Sequence, residues 1–449
     1  MSNQQEIHEV GIIETLKNYK QINADFITYF QQQLEKYDGL VKMKRPFNWL
    51  LTDRPAIVEQ ILRNNHRNYI KTKLVRETLR DEVGNGLPFS NGDYWLKQRR
   101  SIQPGFHKKR LEAIFAIMTD EITKYMENTL DKYADGKQEI NVIDAMAELT
   151  FKVLTTGLFG QKVDTEKIEF FGQSMQFGHH LVINMLQKPY LRPWYFLNGH
   201  FRRNENYKKT RNQIILDVIK ERRNSNQTHD DLLDMLLESK YDDGTGMNDQ
   251  QLIDEMVVLF IAGYETTSIT MTWTMFLLGS HPEIKDKTLK SIQQTWGNKT
   301  ISFDDTRKPS YLLQVIKESM RLYPAAWFID REALEDDTID GITIKKGQNI
   351  GTTTYSLHRN PKYWENPTKF DPERFTPENE KKHFPFSYIP FGSGPRICLG
   401  QHFALMELQL ILSMFFQRYK FTLVTQEVKL KSSLTLSPDR PVMIKLEKR

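Results

Sequence analysis

The sequence predicts a mainly α protein with a smaller β region, an α+β class, and three observations carry that prediction. Amphipathic segments recur over residues 24–276, with apolar residues at the three- and four-residue spacing that lines one face of a helix. Near Thr338 the texture changes to DTIDGITIKKGQNIGTTTYSL, β-branched runs joined by Asp-Gly and Lys-Gly, the pairs that tight strand turns favour. No linker, repeat or low-complexity segment interrupts the chain, so one domain over 1–449 is expected, with about 1–20 as an N-terminal extension.

Taken in order, residues 40–49 mix basic, apolar and aromatic side chains ahead of TDRP and read as β-rich. Residues 109–133, 142–159, 206–222 and 231–238 read as amphipathic helices. The segment DEMVVLFIAGYETTSITMTWTMFLL, residues 254–278, is apolar on nearly all sides, as a helix through a core is. Yet Gly263, Glu265, Thr266 and Thr267 stand at its centre. Glycine weakens a helix and the Thr266 hydroxyl can bond back to the Ala262 carbonyl, so a local bend or opening is expected. An ionisable acid among hydroxyls is costly to bury unless hydrogen-bonded or hydrated, which points to a working group; a core helix tolerating a polar turn is the other reading.

In YLLQVIKESMRLYP, Glu318 and Arg321 share a helix face just before Pro324 stops the helix. Leu312, Leu313, Val315, Ile316, Met320 and Leu322 surround them. A buried pair of this kind needs a further partner, and Arg374 in DPERF is the candidate. The run NPKYWENPTKFDPERF reads as loop. A helix resumes in LGQHFALMELQLILSMFFQRYK, and the last residues read as strands.

With 39% hydrophobic, 11% aromatic and 27% charged residues of mixed sign, the chain is a globular rather than a disordered type. A net charge of +5 and a pI near 8.8 are too mild to indicate nucleic-acid binding without a clustered basic face. The N-terminus has no basic segment followed by an apolar stretch, and nowhere do about 18 apolar residues run together, so a soluble cytoplasmic protein without a transmembrane segment is expected.

Cys398, in FGSGPRICLG, is the only cysteine. It cannot close an intramolecular disulfide or build a multi-cysteine zinc site. Gly392, Gly394, Gly400 and Pro395 let the loop bring backbone N–H groups around the sulfur, and the following helix N-terminus would also stabilise a thiolate. Three readings stay open on these residues alone: an inert buried thiol, a nucleophile, or a single axial ligand to a metal cofactor.

Four motifs together resemble the cytochrome P-450 family. FGSGPRICLG resembles its haem-thiolate signature, AGYETT its oxygen-activating helix turn, ESMR its Glu-x-x-Arg helix and PERF the segment that supplies the partner arginine. They stand in the family's order over residues 262–400, and GDYWLKQRRSIQPGF upstream resembles the family's Trp-x-x-x-Arg helix. The resemblance implies a triangular prism of helices around haem b, iron protoporphyrin IX. It makes Cys398 the proximal iron ligand, with Phe391 beside it and Phe403 and Ala404 under the porphyrin. Arg396, Arg99 and Trp95, and less directly Arg331, match residues that hold the haem propionates. Ala262 and Gly263 would leave space for dioxygen, Thr266 and Glu265 would relay protons, and Glu318, Arg321 and Arg374 would form a structural triad.

The activity implied is monooxygenation: one atom of O2 enters a C–H bond, giving hydroxylation, or O-demethylation where the carbon bears an ether oxygen. The chain ends soon after Cys398, so no fused reductase domain is expected. Electrons would come from a separate ferredoxin or flavodoxin with an NAD(P)H-dependent reductase. The basic residues Lys97, Arg100, Lys108, Lys109 and Arg110 offer that acidic partner a docking face, or are simply a solvated charged surface. A monomer is expected.

Family topology would line the substrate pocket with the loop at 78–89, the connection at 186–199, Val258, Ala262, residues 325–328 and residues 433–436. Leu87, Trp327, Phe328 and Leu434 argue for an apolar substrate such as a fatty acid or terpenoid. Gln173, Gln176, His179 and His180 recur at near-helical spacing. They form either a solvent-facing stripe or a polar pocket wall suited to a methylated sugar. A non-catalytic haem protein, a peroxide-using relative and a helical enzyme with a structural cysteine are the competing classes.

Overall fold

Asp340 and Gly341 both take left-handed backbone angles, φ 49° and 75°, and turn the chain between strands Asp337–Ile339 and Ile342–Ile344. A two-residue Asp-Gly loop does this because its twist matches that of the paired strands. The structure, a computed structural model, describes residues 7–44, 48–159, 165–187, 189–225 and 229–449. Helix takes up 61% of the chain and the described strands form four small sheets, so the mainly α class with a smaller β region is correct.

The chain forms two compact units, one of residues 1–72, 126–147 and 266–449, the other of 73–125 and 148–265. The first holds all four described sheets. The largest runs Glu9–Val10, Leu40–Met43, Trp49–Thr52, Asn349–Thr353, Phe328–Ala333 and Tyr69–Ile70 in spatial order. Its central pair, Trp49–Thr52 and Asn349–Thr353, is parallel, with Leu50 opposite Ile350 and Leu51 opposite Gly351. Successive side chains of a strand point to opposite faces. Leu40, Leu50 and Ile350 therefore join Ile57, Ile61 and Leu357 on one side, while Val41, Met43 and Leu51 join Tyr29, Phe30 and Leu34 on the other. Both faces are covered, which is why WLLT reads as an unbroken rather than an alternating apolar run.

A second sheet orders Tyr419–Leu423, Met443–Lys448 and Asp135–Asn141, all antiparallel, so the C-terminal strand lies between its partners. The Gln401–Arg418 helix precedes it, with Leu410, Ile411, Leu412 and Phe415 buried. Between the sheet's two C-terminal strands lie Leu430–Ser432 and Leu436–Pro438, paired antiparallel as a hairpin, so the last residues are strands as expected.

The second unit is helical. Phe171, Phe260 and Phe151 pack edge to face, Phe260 lying 4.6 Å from Phe171 and 5.0 Å from Phe151 between ring centroids. Such contacts add about 0.5–1.5 kcal/mol each to the area they bury. The Asp249–Ser280 helix contributes its first part to this unit and continues from Thr266 in the other. It is unbroken through the AGYETT turn, so the opening expected there is not a break in the helix. Back-bonding hydroxyls are present beyond it: Thr270, Thr272 and Thr274 each donate to the carbonyl four residues earlier at 2.8 Å.

Candidate active site

Cys398 sits on a loop closed on itself. Its N–H donates to the Phe391 carbonyl at 2.9 Å, and the Ile397 N–H donates to the Gly394 carbonyl at 3.0 Å. Gly392 and Gly394 hold the loop with φ of 71° and 69°. At Gly394 the requirement is doubled, because a Cβ there would lie 1.9 Å from the Leu62 carbonyl oxygen. The thiol is exposed and in no disulfide, which removes the buried inert reading. Phe403 is buried and Ala404 half-buried on the helix that follows, whose Ala404 N–H donates to the Gly400 carbonyl at 2.8 Å.

The loop is anchored from behind. The Ile389 N–H donates to His358 Nε2 at 2.9 Å. Burial, then the Arg321 and Arg359 charges, push the His358 pKa down to about 3, so the ring is neutral and able to accept. Arg321 grips the His358 carbonyl at 2.7 Å and meets Glu318 twice, at 2.6 and 2.8 Å. Arg374 Nε lies 3.5 Å from Glu318 Oε1, and the Asp371 N–H donates to that oxygen at 2.9 Å. The structure thus brings Glu318, Arg321 and Arg374 together. A buried ion pair earns stability only when its remaining groups are satisfied, and removing one partner costs about 3–5 kcal/mol.

A cluster of cations lies in the same unit. Arg331 is 5% exposed and donates to the Asp330 carbonyl at 2.7 Å. Lys71 Nζ lies 4.0 Å from Asp330, whose carboxylate also takes the Thr72 hydroxyl and N–H. Burial, then the Arg331 charge, lower Lys71 to about 8, and the same two causes lower Arg396 to about 10. Beyond burial, repulsion from Arg331 lowers both Lys71 and Arg396, and Arg396 lowers Lys71 in turn, with the Asp330 carboxylate offsetting part of the lowering at Lys71 and Arg331, a setting that suits an anionic ligand. The two carboxylates of a porphyrin edge would be such a ligand, beside a loop presenting an exposed thiol, so the residues present fit haem b. Lys71 was missed by the sequence reading, since nothing in its local pattern separates it from other lysines.

On the other side of the sequence, Trp95 is buried and Arg99 half-buried on the Gly92–Ile102 helix of the second unit, Arg99 donating to Gln103 at 3.0 Å. In the same unit a Cβ at Gly263 would lie 2.8 Å from Leu154 Cδ1, so the missing side chain lets two helices approach. Ala262 is exposed and Gly263, Glu265 and Thr266 are half-buried, although Met256, Phe260 and Met271 along the same helix have no exposure. The polar residues thus mark a turn that is more open than the helix on either side of it.

Glu407 is a second residue the sequence reading missed. It is wholly buried on the Gln401–Arg418 helix, and among the described residues neither carboxylate oxygen has a partner of hydrogen-bond geometry. Burial raises its pKa to about 8, the nearby Thr267 hydroxyl offsetting only part of that.

Among the pocket candidates, Leu87 is buried and its N–H donates to Glu255 at 3.1 Å, while a Cβ on the adjoining Gly86 would lie 2.7 Å from Val258. The Leu87 loop and Val258 are therefore neighbours. In the first unit Trp327 is buried with Ile27, Tyr355 and Leu436 and donates to the Ser433 carbonyl at 3.0 Å. Phe328 packs on Trp49 at 5.1 Å, and Leu434 is 37% exposed. Gln173, Gln176 and His180 are exposed. His179 is drawn in against Glu265, with Nδ1 3.2 Å from Oε2. Residues 186–189 of the 186–199 connection lie outside the described side chains.

The basic strip is partly neutralised. Lys97 lies 3.3 Å from Asp243, Arg100 3.7 Å from Asp242, and Arg110 reaches both Asp230 at 3.2 Å and Glu238 at 2.5 Å. No helix among the described residues is long and apolar enough to cross a membrane.

Comparison with known proteins agrees with this geometry. The chain is 28% identical over 452 residues to cytochrome P450 4c21 of Blattella germanica, covering 95% of this chain and 89% of that protein. It is 30% identical over 393 residues to cytochrome P450 3A11 of Mus musculus, covering 82% and 76%. The crystal structure of the cytochrome P450DA haem domain superposes with a TM-score of 0.89 at 24% identity, over 99% of this chain and 97% of that one. The cytochrome P450 family model matches residues 4–446. With the family model spanning nearly the whole chain and the fold matching a haem domain of that family, the chain belongs to the cytochrome P450 family and is a haem b-dependent monooxygenase.

Proposed function

We propose that this P450 hydroxylates an apolar substrate of the fatty-acid or terpenoid kind, drawing electrons from a separate ferredoxin or flavodoxin. The observation that carries the reading is the open AGYETT turn, exposed at Ala262 within an otherwise buried helix. Haem b, bound through Cys398, supplies the iron at which dioxygen is reduced and split. Arg331 and Arg396, with Lys71, hold the acidic edge of the cofactor, and Trp95 and Arg99 are assigned the same task. Phe391, Phe403 and Ala404 shelter the sulfur.

One oxygen atom goes to the substrate and the other leaves as water, which consumes two electrons and two protons. Thr266 passes those protons into the pocket and Glu265 recharges it from solvent. Ala262 and Gly263 keep the turn open, and the apolar side chains around it exclude bulk water that would divert the reaction. Leu87 and Val258 support an apolar substrate. The exposure of Gln173, Gln176 and His180 leaves little of the polar wall that a methylated sugar would need. Pairing of Lys97, Arg100 and Arg110 with carboxylates reduces the charge available for steering a partner, so binding should be weaker and less salt-sensitive than a bare basic strip would give.

Thr266→Ala tests the relay. The variant should keep haem and consume reductant, yet release peroxide in place of most of the product; unchanged coupling would rule the relay out. A spectral screen of fatty acids, terpenes and methylated sugars tests the substrate class. Shifts with sugars alone would overturn the apolar assignment.

A further inference from the structure

The acid of the proposed relay is held from a neighbouring helix. His179, on the Thr165–Gln187 helix, places Nδ1 3.2 Å from Glu265 Oε2, and both side chains are 17% exposed. Both residues belong to the same compact unit. The rotation of the Thr165–Gln187 helix that makes this contact is fixed one residue earlier. At Gly178 a Cβ would lie 2.1 Å from Glu82 Oε1, and Glu82 is itself pinned by Asn204 at 2.6 Å and Arg211 at 3.2 Å. With Gly178 turned onto that buried pair, His179 faces Glu265, whereas Gln176 and His180 point to solvent.

We propose that His179 is a positioning residue for Glu265. A carboxylate that recharges a hydroxyl must alternate between facing inward and facing solvent, and an imidazole nitrogen 3.2 Å from one oxygen limits which orientations it adopts. The contact is a 3.2 Å approach of a ring nitrogen to a carboxylate oxygen, which a ring N–H on Nδ1 can serve, so the role belongs to that polar contact rather than to filling space. His180, whose ring centroid is 6.3 Å from that of His179, lies exposed beside it and does not substitute. The inference rests on the reading of Glu265 and Thr266 as the relay.

The test compares His179→Ala, His179→Gln, Glu265→Gln and the His179→Ala/Glu265→Gln double variant as haem-bound proteins. The readouts are product and peroxide formed per reductant consumed and the solvent isotope effect on turnover. His179→Ala should shift reductant from product to peroxide roughly tenfold, the size expected for losing one close polar contact to a carboxylate. His179→Gln, which keeps an N–H donor, should restore most of the coupling. The double variant should be no worse than Glu265→Gln, because both changes remove one interaction. If Glu265→Gln uncouples and His179→Ala does not, or if their effects add, the positioning role is wrong while the relay stands. If Glu265→Gln leaves coupling and the isotope effect unchanged, the relay itself fails and the inference with it. Should His179→Ala lose haem, His179→Leu and His179→Gln decide, since both fill the space and only Gln donates.

Discussion

Gly394→Ala, set against Gly392→Ala, separates two costs that the cysteine loop combines. Both glycines have left-handed backbones of nearly the same φ, 69° and 71°, so each substitution pays about 1–2 kcal/mol for placing a Cβ in that region. They differ in what the Cβ meets. At Gly392 nothing lies within 4 Å, while at Gly394 the new atom would fall 1.9 Å from the Leu62 carbonyl oxygen and 2.7 Å from its carbon. Those atoms are backbone of the Gln60–Asn64 helical turn, which holds Ile61 and Leu62 in the core, so neither side can yield by a rotamer change. Forcing them apart adds about 1–3 kcal/mol. Gly394→Ala should therefore lose about 2–5 kcal/mol and Gly392→Ala about 1–2, read from denaturant unfolding of the haem-bound proteins. The displaced loop should also weaken the thiolate signal in the first variant more than in the second. Equal losses would refute the reasoning, because they would show that the approach of Gly394 to Leu62 carries no energy.

Two further outcomes follow from buried charge. Glu407 has its carboxyl raised from 4.5 to about 8 by burial. The folded state thus holds this proton more tightly than the unfolded one, and the stability it contributes is full below pH 4.5 and is lost as the pH rises through 8, up to about 5 kcal/mol. Glu407→Gln cannot ionise and should flatten that decline; parallel stability curves for the two proteins would contradict the assignment. Lys71→Met should speed haem loss roughly tenfold by removing one cation from the Lys71, Arg331 and Arg396 cluster, as measured by transfer of haem to an acceptor globin. An unchanged rate would remove Lys71 from the cofactor site.

What the sequence made legible was local. The long helices followed from three- and four-residue periodicity, the Asp340-Gly341 hairpin from turn chemistry, and the Glu318–Arg321 pair from its spacing on one helix face. The bend or opening expected at Gly263 rests on a glycine that also lets Leu154 approach, and the helix runs through that turn without interruption. The remainder depends on residues far apart in the chain. His358 behind the cysteine loop, Lys71 beside Arg331, and His179 against Glu265 have no local mark that distinguishes them from ordinary histidines and lysines. The basic strip shows the same limit, since the carboxylates that neutralise it come from residues 230–243. Even the strand Glu9–Val10, paired in parallel with Lys42 and Met43, is too short for alternation to reveal.

The central claim is that Cys398 binds haem iron as a thiolate. The spectrum of the reduced, carbon monoxide-bound protein tests it most directly, taken for the natural chain and for Cys398→Ser. The natural chain should show the red-shifted band of a thiolate-ligated haem and Cys398→Ser should bind haem without it. A natural chain that binds haem but lacks that band, or a serine variant that retains it, would contradict the account.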